Sequence, residues 1–90
     1  MEPALDPDIA DLAPWSQTLT DYDRQHLLVY LRLLDARDEG ADWREAAHLI
    51  LRRDAGVDEA AARRCWETHL ERAQWMTETG YKDLLSSKAG

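Results

Sequence analysis

Ninety residues make one small domain and no more. With 44% apolar residues there is material for a core, which excludes general disorder. Eighteen acidic against eleven basic side chains leave a net charge of −7, which argues against a general nucleic-acid binder and against adsorption to anionic membranes.

Residues 1–17 read as a flexible acidic tail. Pro3, Pro7 and Pro14 break helices, while Glu2, Asp6, Asp8 and Asp11 bring negative charge with no positive one. Leu5, Ile9, Leu12 and Trp15 keep a second reading open, in which Leu12 or Trp15 docks on the domain or on a partner. The N-terminus has no basic residue ahead of an apolar stretch, and no apolar run approaches the roughly 20 residues of a membrane span. A soluble cytoplasmic protein is therefore expected.

The domain itself is expected over residues 18–86, with 87–90 fraying. Thr20 offers a hydroxyl cap and Asp21 and Asp23 acids for a first turn, so a first helix should run over 20–38 and stop at Gly40. Leu27, Tyr30, Leu31 and Leu34 share one of its faces, and Tyr22, Val29 and Leu33 fall nearly opposite. Such a helix is either central and buried on both sides, or keeps one face for another purpose.

A second helix is expected over 42–53, with Asp42 as cap, Glu45 completing a capping-box variant, and Trp43, Ala46, Ala47, Ile50 and Leu51 inward. The third, over 58–79, starts at Asp58 and ends before Gly80. Ala62, Trp66, His69, Leu70, Ala73 and Met76 form its inward stripe, and Trp75 points away. A short turn or helix should follow over 81–85. The fold class is thus all-α: a small helical domain, helix-turn-helix-like with an extended turn between the second and third helices.

Chemistry has little foothold. Cys65 and His69, at i and i+4, could reach one metal ion, but two ligands are not a site, and His26 and His48 lie on other helices. Cys65, the single cysteine, has no partner for an intramolecular disulfide. Gly40, Gly56, Gly80 and Gly90 form no phosphate-cradling loop. No catalytic residue, cofactor or metal is expected, and no enzyme.

Arg52, Arg53, Arg63, Arg64 and Arg72 are what a DNA-binding reading would use. The third helix nevertheless sets three arginines against four glutamates, with Arg63 and Glu67 one turn apart. Trp43 and Trp66 fit core stripes. Trp75 either packs on the terminal turn or is an exposed interface anchor.

Three segments, Leu31-Arg32-Leu33-Leu34-Asp35-Ala36-Arg37, Gly40-Ala41-Asp42-Trp43-Arg44-Glu45-Ala46-Ala47 and Gly80-Tyr81-Lys82-Asp83-Leu84-Leu85, carry a resemblance in their order and spacing. Over about residues 20–85 the chain resembles a bacterial variant helix-turn-helix family. That family includes the DNA-binding domain of RovC-like regulators of type VI secretion and activators of integrative and conjugative element transfer. Its DNA-binding members carry a strongly basic third helix and a separate N-terminal domain. Here the third helix is Glu-rich, Asp83 follows Lys82, and no room is expected for a second domain.

A short, acidic, single-domain chain is most similar to the QseM-type antiactivators. For these the resemblance implies binding to a transcriptional activator, through that activator's N-terminal domain, and not to DNA. It carries over no catalytic residue. A free copy of the activator's second domain could present the same docking face and compete for the first. Tyr22, Val29, Leu33 and Trp75, outside the expected core stripes, are the candidate partner-binding residues. A DNA-binding regulator is the alternative, and a DNA mimic a third reading.

Overall fold

The computed structural model describes residues 8–80, all-helical with no strand among them. The order is α1 (Asp21–Gln25), α2 (Leu27–Asp38), α3 (Trp43–Leu51) and α4 (Glu59–Trp75), the last running into a π-helical turn over Met76–Gly80. The turn expected over 81–85, the frayed end, and the first seven residues of the expected tail lie outside the described residues.

Local chemistry sets most boundaries. At α1 the Thr20 hydroxyl accepts from the Asp23 N–H at 3.1 Å, and the Asp23 carboxylate accepts from the Thr20 N–H at 2.8 Å, a reciprocal capping box. Asp58 caps α4 by accepting from the Ala61 N–H at 3.1 Å. Gly40, at φ +76°, takes the left-handed conformation that ends α2. Asp42 precedes α3 in extended backbone but makes no side-chain cap bond, so the box expected with Glu45 does not form.

The single helix expected over 20–38 is in fact two. His26, at φ −114° and ψ 22°, breaks it. Its Nδ1 lies 2.7 Å from the Tyr22 carbonyl, an oxygen that also accepts the His26 N–H at 3.0 Å. A side chain inserted into the i→i−4 ladder is a recognised cause of a kink. Between α3 and α4 the connection is long, as expected: Arg52 reverses the chain at φ +59°, and Asp54 accepts from the Gly56 N–H at 2.8 Å.

The core lies on α4, which packs against α2 and α3. Val29, Leu33, Leu51, Cys65 and Leu70 form one cluster; Leu19, Tyr30, Ala73 and Met76 form a second. Both stripes of α2 therefore take part in the core: Val29 and Leu33 are buried from one, Tyr30 from the other with half-buried Leu27 and Leu34 beside it, and only Leu31 stands out, at 53% exposed. Residues 8–19 carry no helix and lie as an arm across α1, the α3–α4 turn and α4. Leu12 and Trp15 are exposed, so neither docks the arm; Ile9 and Leu19 pack on the core instead.

Candidate functional site

Three structural features bear on function: the α3–turn–α4 unit, the arm laid over it, and the buried polar groups that join them.

The arm is pinned through its backbone. The Asp8 carbonyl lies 2.7 Å from His26 Nε2, and the Ile9 carbonyl accepts from Arg53 Nη2 at 2.6 Å. The Ala10 N–H donates to the Tyr22 hydroxyl at 3.0 Å, and the Ala13 N–H to Thr68 Oγ1 at 3.0 Å. Farther on, Arg72 donates from Nη1 to the Ser16 carbonyl at 2.6 Å and from Nη2 to the Thr18 carbonyl at 2.9 Å.

Arg72 is also one half of a buried ion pair. It and Asp23 are 1% and 0% exposed. Its Nε and Nη2 donate to the two Asp23 oxygens at 3.0 and 2.6 Å, and the Tyr30 hydroxyl adds a bond at 2.7 Å. Burial pushes the Asp23 carboxyl up, but the donors from Arg72, Thr20 and Tyr30 outweigh it and hold it at about 2. Such pairing is what lets two charges lie in a core.

A second network runs from Tyr22 to Cys65. Nδ1 of His69 lies 2.7 Å from the Cys65 carbonyl, which assigns the proton to that nitrogen and leaves Nε2 to accept from the Tyr22 hydroxyl at 2.6 Å. Burial drives the His69 pKa down and the Cys65 thiol up, so both rest neutral in the core. The pair thus serves packing, and no group of three or more His, Cys, Asp or Glu among the described residues could hold a metal ion.

The five arginines of the DNA-binding reading have divided fates. Arg72, expected on the outward face of the third helix, is in the core. It follows His69 by three residues and Cys65 by seven, so its position was inward by spacing and outward only by residue type. Arg53 holds the arm through the Ile9 carbonyl and the Asp11 carboxylate, the latter at 3.2 Å. Arg63 pairs with Glu67 at 3.1 Å and lies over Trp43 and Trp66, 4.9 and 5.2 Å from their ring centres. Arg52 and Arg64 are exposed. At the start of α4, Glu59 accepts from Arg44 at 2.8 Å.

Of the four expected partner-binding residues, Val29 and Leu33 are core, 8% and 1% exposed, and offer no surface. Two apolar stripes on one helix leave open whether one or both are buried, and packing of the domain covers both, apart from Leu31. Tyr22 is half-buried and committed to Ala10 and His69. Trp75 is half-buried against the second cluster, with the Arg72 guanidinium 3.8 Å from its ring centre. The structure does not bring the four into one exposed patch. Reading by residue missed the Asp23–Arg72 pair and the anchoring of the arm on either side of Trp15, which is itself 80% exposed, as the reading that docks it on a partner requires.

No helix of the described residues is long and apolar enough to cross a membrane. A family profile, that of the RovC DNA-binding domain, described as a T6SS transcription factor DNA-binding domain, matches residues 4–86. No curated protein matches the chain.

Proposed function

The chain belongs to the RovC DNA-binding-domain family of type VI secretion transcription factors, and from that premise we propose that it regulates transcription as an antiactivator. It binds the N-terminal domain of a transcriptional activator of conjugative-element excision and transfer, in place of that activator's own helix-turn-helix domain. One observation carries this reading: three of the five arginines that a DNA-binding member would turn to phosphate are engaged within the domain. Arg72 is buried on Asp23, Arg53 clamps the arm, and Arg63 is paired with Glu67. Each phosphate contact needs a cation that can leave its intramolecular partner, and the chain as a whole is at −7.

The family's own description favours a second reading, a DNA-binding regulator using the exposed Arg52 and Arg64. A salt-dependent gel shift separates the two. The antiactivator shows no preference for a promoter over random duplex at physiological salt, and it lowers activator-driven expression of a reporter when co-expressed. Submicromolar retention of one promoter sequence establishes the DNA-binding reading instead.

A further inference from the structure

Between the arm and the end of α4 lies an open groove of about 400 Å³, lined by Trp15, Glu71, Gln74, Trp75, Glu78 and Thr79. Its two aromatic walls differ in origin. Trp75 is backed by the Arg72 guanidinium, which fixes the indole from behind. Trp15 is held only through the chain on either side of it. The Ala13 N–H is bound to Thr68, the Ser16 carbonyl to Arg72, and Pro14 locks its own φ between them. Anchored backbone thus presents an indole that remains 80% exposed. Rigid presentation of a large aromatic is how interface anchors keep the ordering cost of binding low.

The groove is also acidic. Glu71 and Glu78 flank it, and neither has an ion-pair partner among the described residues. A groove lined by two indoles and two carboxylates suits a planar cation, because guanidinium both stacks on indole and binds carboxylate through its fork of N–H donors. We infer that this groove receives an arginine side chain from a segment of a partner protein. The inference rests on the reading above that the partner is a protein. Duplex DNA does not fit, because the two carboxylates would face phosphate.

The test uses the full chain and reads its four indole N–H signals by NMR. A hexa-arginine peptide is the probe and a hexaglutamate peptide the control. The expected result is saturable shifts of the Trp15 and Trp75 signals with hexa-arginine alone, and affinity at least tenfold weaker in Trp15→Ala and in Glu71→Lys/Glu78→Lys. Trp43 and Trp66 serve as internal references. The inference is overturned if the variants bind as the parent does, if the shifts centre on Trp43 and Trp66, or if the parent does not respond at millimolar peptide. It is equally overturned if the groove proves to be filled by residues 81–90 or by a second copy, seen as binding that appears only on truncation or dilution. In the reporter assay, loss of repression by both folded variants supports docking of the activator in the groove. Full repression by both leaves the antiactivator reading intact and removes the groove from it. Absence of repression by the parent removes the antiactivator reading, and the peptide titration then decides the groove by itself.

Discussion

Asp23 and Arg72 form the most consequential pair in the domain, because the charges are fully enclosed and each of their side-chain polar atoms has a hydrogen-bond partner. Arg72 satisfies Asp23 on one side and two arm carbonyls on the other, so the pair couples α1, α4 and the arm. Truncating one partner leaves the other charge buried without compensation, and Arg72→Ala should cost about 3–5 kcal/mol in denaturant titration. The pH dependence follows from the depressed carboxyl. The folded-state value of about 2 lies below the ordinary 3.8, so the contribution is present in full above about pH 4 and lost as pH falls through about 2. Other carboxylates protonate over the same range, so the informative quantity is the stability gap between the parent and Asp23→Asn. That gap should be constant from neutral pH to about 4 and shrink toward about 2, followed by thermal melts. A gap that stays constant to the lowest pH would mean that the carboxylate is not held in its charged form by the fold.

At the scale of elements, α2 is where burial and composition part. Its leucine-rich face includes Leu31, more than half exposed, while Leu33 is enclosed by the cluster of Leu51, Cys65 and Leu70. Leu33→Ala should therefore cost about 2–5 kcal/mol, as large-to-small changes in a core do, and Leu31→Glu less than about 0.5 kcal/mol in the same urea titration. Reversal of that order would put Leu31 inside in place of Leu33. The caps at Thr20 and Asp58 and the stop at Gly40 were legible in the sequence, because each depends on residues within one turn. The stripe of α3 was legible too, since Ala46, Ala47 and Leu51 leave a single apolar face. The break at His26 was not. It depends on where a side chain is placed against the Tyr22 carbonyl of its own helix and the Asp8 carbonyl eighteen residues away. That α2 is buried on both stripes was one of two readings the sequence left open, and only packing decides it, since an apolar stripe looks the same whether it meets the domain or a partner.

For the whole molecule, charge governs approach and the arm governs contact. The candidate site was legible only as an excess of acid over base. Which cations remain at the surface depended on tertiary placement, since Arg72 goes to the core and Arg53 to the arm. What remains is a field of net −7 in which, of α4's two exposed arginines, Arg63 is compensated at short range by Glu67. At distances well beyond its own spacing such a local pair cancels, so an approaching molecule meets the net charge, whose reach is about one Debye length, about 10 Å at 0.1 M salt. On the antiactivator reading proposed above, this field disfavours duplex DNA and steers in a partner with basic segments. For the proposed complex with an activator's N-terminal domain, stopped-flow association should slow at least tenfold as salt rises from about 0.05 to 0.5 M, while dissociation changes much less. The asymmetry arises because steering acts over distances at which salt screens. Dissociation, by contrast, breaks close contacts on indole and carboxylate, where little solvent intervenes. Replacing Glu71 by Gln removes one charge of the long-range field and one rim contact, so it should move both rates. Replacing Asp38 by Asn at the end of α2, where it forms a surface pair with Arg37, removes a charge but no rim contact and should lower only the association rate. If Asp38→Asn slowed neither step at low salt, steering by net charge would be the wrong account, and the arm with its exposed indole would have to supply the recognition alone.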